Sequence, residues 1–120
     1  MYKRQVAGGE GAEVDRADKY GRTPLYNACW NGHLDVARLL LDRGAAVDRA
    51  KKGGFTPLYA ACQNGHVDAA RLLLEKGAEV NRAAKDGSTP LSIAKSQGHS
   101  PIVALLEEHM SSKSRGAAES

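Results

Sequence analysis

The chain is poor in aromatic residues: one Trp, one Phe and four Tyr, 5% of 120 positions. Its core must therefore be assembled from Leu, Ala and Val, and such cores belong to closely packed helices. Long apolar runs are missing as well. No stretch approaches the roughly 18 apolar residues that a membrane-spanning helix needs. Met1-Tyr2-Lys3-Arg4-Gln5 opens on basic residues, but no apolar run of the kind that marks a secretory signal follows. Cysteine is limited to Cys29 and Cys62. Two thiols with no export signal point to a reducing compartment, cytoplasmic or nuclear. The net charge of +3 is small, so overall charge alone does not indicate nucleic acid as the partner. Catalytic signatures are lacking too: there is no nucleophile–base set, phosphate loop or Cys-x-x-Cys pair. Gly8-Gly9-Glu10-Gly11 has neither the preceding strand nor the spacing of a dinucleotide fingerprint. The chain reads as a non-enzyme that needs no cofactor.

What the sequence does have is repetition. Thr23-Pro24-Leu25-Tyr26 returns as Thr56-Pro57-Leu58-Tyr59 and again as Thr89-Pro90-Leu91-Ser92, 33 residues apart each time. Gly32-His33, Gly65-His66 and Gly98-His99 keep the same period, as do Gly11-Ala12, Gly44-Ala45 and Gly77-Ala78. Residues 23–55 and 56–88 agree at 22 of 33 positions, which chance cannot produce.

Each unit carries the signals of two short helices. Thr23 is an N-cap residue and Pro24 suits the first helical position. Leu25 and Ala28 lie on one face, and Gly32 ends the helix in a left-handed conformation. A second helix is expected from about Leu34 to Arg43, with Val36, Leu39 and Leu40 as its apolar stripe. Asp35, Arg38 and Asp42 form its polar face, as Asp68, Arg71 and Glu75 do one repeat later. Residues 45–55 are turn-rich and should form an extended finger. Neither helix can bury its face alone, so neighbouring units must stack.

The pattern Thr-Pro-Leu-x-x-Ala, Gly-His, Leu-Leu, Gly-Ala-x-Val-Asp/Asn resembles the ankyrin repeat, over residues 11 to 109. The resemblance implies an all-α solenoid of stacked helix-turn-helix pairs with β-turn or hairpin fingers. The repeats fall at about 19–51, 52–84 and 85–110, within a domain spanning 11–110. About three repeats are the minimum for stability, and three helical pairs are present.

The two ends differ. Glu107 stands where Leu41 and Leu74 stand, and Met110 where Gly44 and Gly77 stand. Acid in place of Leu marks a surface turned to water, so the third pair is expected to close the stack. Ser-rich residues 111–120 read as a disordered tail. At the other end, residues 1–10 hold too little helix to cover the first pair. They are expected to be either a degenerate cap or the remnant of a longer array, the latter slightly favoured.

His33, His66 and His99 invite a metal reading. Stacked units lie roughly 8–10 Å apart, while Zn–N bonds measure about 2 Å, so the three cannot share an ion. Cys29 and Cys62 are likewise one repeat apart, and a disulfide needs Cα atoms within about 7 Å; both read as small buried residues. Tyr26 and Tyr59 replace the histidine common in the family, either joining its hydrogen bonds or simply packing. In that family an Asn at the place of Asn81 can be hydroxylated, but a turn-stabilising side chain is the reading taken.

The resemblance also implies where a partner docks: on the finger tips and the concave face of the first helices. Carried over by position, the finger residues are Lys19, Tyr20 and Arg22, then Lys52 and Phe55, then Lys85 and Asp86. The helix residues are Trp30, Asn31, Gln63 and Asn64. Trp30 is the one Trp and stands where Gln63 and Ser96 stand, so it reads either as a binding anchor or as cover for its neighbours. The three fingers, residues 16–22, 49–55 and 82–88, together carry +6 and the rest of the chain −3. Arg16, Arg49 and Arg82 recur in register and should form a basic ladder along one edge. These features point to a monomeric protein-binding scaffold for an acidic or extended segment. Two alternatives are a nucleic-acid module using the same edge, disfavoured by its modest charge, and a structural segment of a larger signalling or channel protein.

Overall fold

The computed structural model describes residues 14–119, with side chains through Ser111. The expectations for residues 1–10 lie outside the described residues. Six helices follow one another: α1 (Pro24–Asn31), α2 (Leu34–Asp42), α3 (Pro57–Asn64), α4 (Val67–Glu75), α5 (Pro90–Ser96) and α6 (Ser100–Glu119). They form three antiparallel pairs, and among the described residues there is no strand.

The first helix of each pair starts as its residues dictate. The hydroxyls of Thr23, Thr56 and Thr89 accept the amides of Tyr26, Tyr59 and Ser92 at 3.1, 3.1 and 3.0 Å, and a proline follows each threonine. Each such cap contributes about 1 kcal/mol. Gly32 and Gly65 end α1 and α3 with φ of 73° and 79°, a region closed to most side chains.

The helices lie in two rows. α1, α3 and α5 pack side by side, and α2, α4 and α6 form a second row that touches over a shorter length. Small residues permit the closer row: Ala28, Cys29, Ala61 and Cys62 are buried at its junctions, with Leu25 and Leu58 between them. The second row seals the core with Leu72, Leu73, Leu74, Ile102 and Leu106.

The apolar stripe expected on α2 is corrected. Val36 is 48% and Leu39 52% exposed, while Ala37 is the buried residue of that helix and Leu40 is half-buried. One repeat later the same positions, Ala69 and Leu72, are each 2% exposed. The difference is the neighbour. α2 covers that side of α4, and no described element covers the same side of α2.

The third pair carries the expected polar face. Glu107 is exposed and lies 3.7 Å from Lys95. Met110 replaces the glycines that follow α2 and α4, Gly44 at φ 95° and Gly77 at φ 94°. Without that stop α6 runs on to Glu119, so the backbone of 111–119 is helical where composition suggested a disordered tail.

Candidate functional site

Each finger is a tight turn closed on itself. The Asp18 amide bonds the Arg22 carbonyl, Lys51 bonds Phe55 and Ala84 bonds Ser88, at 3.0, 3.0 and 2.8 Å. Adjacent fingers are joined by Lys52 N to Tyr20 O at 3.0 Å and Lys85 N to Gly53 O at 2.8 Å. The fingers therefore form one continuous edge, on which Lys19, Lys52 and Lys85 are exposed and in register.

Two residues of the arginine ladder also bond across repeats, while Arg16, Arg49 and Arg82 all stay exposed. Arg49 Nη1 donates to the Asp15 carbonyl at 3.0 Å, and Arg82 Nη1 to the Asp48 carbonyl at 3.4 Å. The Asp15 carboxylate accepts the Ala46 amide at 3.1 Å, and the Asp48 carboxylate accepts the Glu79 amide, also at 3.1 Å. These residues staple one repeat to the next, across 31 and 34 positions of sequence. Burial raises the Asp48 carboxyl above its ordinary value; the Glu79 charge adds to this, while the Glu79 amide and Arg82 oppose it.

The histidines also join repeats. His66 Nε2 lies 3.0 Å from the Trp30 carbonyl, and His99 Nε2 lies 3.1 Å from the Gln63 carbonyl. A Cβ on Gly32 would sit 2.6 Å from the His66 ring, and one on Gly65 would sit 2.8 Å from the His99 ring. Both rings thus occupy the space their glycines leave. Burial pushes the thiols of Cys29 and Cys62 up to about 12, which leaves them protonated and unreactive.

The first finger and α1 bring several of the anticipated residues together. Among the described residues Tyr20 and Trp30 are the exposed aromatics, at 47% and 39%. Trp30 stacks on Tyr26 with ring centres 6.2 Å apart and planes at 22°. Arg22 lies over the Tyr20 ring at 4.8 Å and its Nε meets the Asp18 carboxylate at 2.7 Å. Burial works to raise the Asp18 carboxyl, but hydrogen bonds from Arg22 and Tyr20 outweigh it and hold the group below its ordinary value. Desolvation pushes the Tyr26 phenol up to about 12. A cavity of about 470 Å³ opens between Tyr20, Trp30 and Lys52.

The other anticipated residues divide. Asn64 donates its amide to the Trp30 carbonyl at 2.8 Å, and Asn31 donates to the Asn27 carbonyl at 2.9 Å, so both are engaged within the chain. Phe55 packs on Tyr59 with ring centres 4.8 Å apart. Asp86 turns back to accept from the amide and hydroxyl of Ser88, which lowers its carboxyl. Gln63 is half-buried and Lys85 exposed. Lys51 was not singled out from the sequence, yet it lines the cavity with Tyr26 and Asn27. Its signal was a charge reversal: Lys51 stands where Asp18 and Ala84 stand.

A stack of capped helix pairs with fingers along one edge defines a helical repeat solenoid, a class built around extended binding surfaces. The chain belongs to the ankyrin-repeat family. The profile described as Ankyrin repeats (3 copies) matches residues 3–84, and that described as Ankyrin repeats (many copies) matches residues 65–107. Ankyrin repeats are in general protein–protein interaction modules and typically non-enzymatic. Comparison with curated proteins returns no match. Among the described residues no helix is long and apolar enough to cross a membrane.

Proposed function

We propose that this protein binds an extended, acidic segment of another protein along its finger edge and first-helix face. The observation that carries the reading is the row Lys19, Lys52 and Lys85, exposed and in register beside exposed Tyr20 and Trp30. Cations along an edge steer an acidic chain and speed its association. Exposed aromatics beside them supply the apolar contact that holds it.

Reversing Lys19, Lys52 and Lys85 to Glu, with Trp30→Ala, tests the surface. Proteins captured by the unaltered chain from the source cell should be lost from this variant. They should be retained when Arg38 and Arg71, on the second helices, are changed to Glu. Loss in the second variant and retention in the first would place docking on the opposite face. For an identified partner, the lysine reversals should slow association roughly tenfold at low salt.

A further inference from the structure

Between residues 23–55 and 56–88 the repeat departs from itself at eleven positions. Asn27, Trp30, Lys51 and Phe55 stand where Ala60, Gln63, Ala84 and Ser88 stand one repeat later. In the preceding finger, Tyr20 and Arg22 take the places of Gly53 and Phe55. The helical scaffold does not require these exchanges, since α3 has the same length, cap and glycine stop as α1 without them. They nevertheless converge. Tyr20, Arg22, Asn27, Trp30 and Lys51 all line the one cavity of about 470 Å³.

The chemistry of its walls is specific. Exposed Trp30 forms the apolar shelf, stacked against the buried ring of Tyr26. Tyr20 and Arg22 form the finger-side wall, where the Arg22 charge is already matched by Asp18 at 2.7 Å. Lys51 Nζ lies 5.1 Å from the centre of the Phe55 ring and 6.0 Å from that of Tyr26. Aromatic faces favour a cation and hold it at the shelf. Among the described residues neither Lys51 nor Lys52 has a carboxylate within ion-pair distance. The cavity thus offers a flat apolar surface beside two positive charges without partners there.

We propose that this cavity is the anchor pocket for an acidic protein segment in which one Phe- or Leu-type side chain is flanked by carboxylates. The apolar side chain lies on the Trp30 shelf, and a neighbouring carboxylate meets Lys51 and Lys52. The proposal rests on the reading of the first-helix face given above and narrows it to one pocket and one side-chain pattern. A basic edge alone would use the lysines and ignore Trp30. An apolar patch alone would use Trp30 and ignore Lys51.

Trp30 is the one tryptophan of the chain, so its emission reports on the pocket directly. Three fluorescein-labelled ten-residue peptides serve as probes: Glu-rich with a central Phe, Glu-rich with Ser in its place, and Lys-rich with the Phe. The first should bind and shift the Trp30 emission, and the other two should bind at least tenfold more weakly. Trp30→Gln and Lys51→Ala borrow the residues of the next repeat, Gln63 and Ala84, and so retain the fold. Each should weaken the first peptide about tenfold, read by anisotropy, as expected for an anchor residue. Equal binding of the Phe and Ser peptides, or no peptide shifting the emission at millimolar concentration, overturns the pocket. If both variants keep full affinity while Gln63→Ala with Lys85→Ala loses it, the pocket falls and the broader first-helix reading stands. If none of these substitutions matters, both fall.

Discussion

Leu39 and Leu72 hold the same position in successive repeats and share identical flanking residues, Arg-Leu-Leu-Leu. Their surroundings differ: Leu72 is 2% exposed and Leu39 52%. Replacing each by Ala therefore isolates the effect of the neighbouring repeat. Truncation removes the equivalent of about three methylene groups, each worth ~0.8 kcal/mol of transfer free energy when fully buried. At Leu72 this gives roughly 2.4 kcal/mol, and the cavity left behind brings the loss to about 3 kcal/mol or more. At Leu39 half of the side chain already faces water and no enclosed cavity forms, so the loss should be about 1 kcal/mol. Urea unfolding followed by far-ultraviolet circular dichroism measures both. With a slope of about 2 kcal/mol per molar urea, Leu72→Ala should lower the midpoint by about 1.5 M and Leu39→Ala by about 0.5 M. Equal shifts would refute the reasoning, because the outer face of α2 would then be as well covered as that of α4.

Two further outcomes follow from other parts of the fold. Gly65→Ala should cost more than Gly77→Ala. Both need positive φ, worth roughly 1–2 kcal/mol against an L side chain, but only at Gly65 does the new Cβ meet a ring, that of His99 at 2.8 Å. Equal losses in thermal melts would show that the ring swings aside freely. Stability should also fall as pH rises past about 9. The folded thiols of Cys29 and Cys62 sit near 12 against an ordinary 9.0, and the Tyr26 phenol near 12 against 10.0. Between these values the unfolded chain gives up protons that the folded chain keeps, so unfolding gains from each rise in pH. Urea midpoints at pH 7, 9 and 10.5 should decline in that order, with no thiol reacting at pH 8 before unfolding; a flat series would contradict the burial argument.

The helices were legible because their signals are local. Thr-Pro starts and Gly stops act within one turn, and the observed bounds of α1 and α2 lie within a residue or so of those read from the pattern. What the sequence could not reveal was non-local. Val36 and Leu39 look like core residues by spacing, but burial depends on which side has a neighbour, and a 33-residue period carries no such information. Arg49 and Arg82 look like a free basic edge, yet each reaches a carbonyl 34 positions back. Lys51 was hidden in a run of turn residues until the fold set it against Tyr26 and Phe55. Met110 marks a closing repeat by its position, and its further effect is to remove the glycine that would have ended α6.

The two junctions between repeats are not equally tied. The Trp30 carbonyl takes bonds from both Asn64 and His66, whereas the Gln63 carbonyl has His99 alone among the described residues, Gln97 standing where an Asn would reach it. The first junction also holds the Arg82 and Glu79 bonds to Asp48, against the Tyr59–Ser88 hydroxyl pair at the second. A tensile load along the stack passes through these junctions in series, so each bears the same force with a different number of links. Pulled by its ends, the array should part first between its second and third repeats, leaving the pocket around Trp30 intact on the piece that holds.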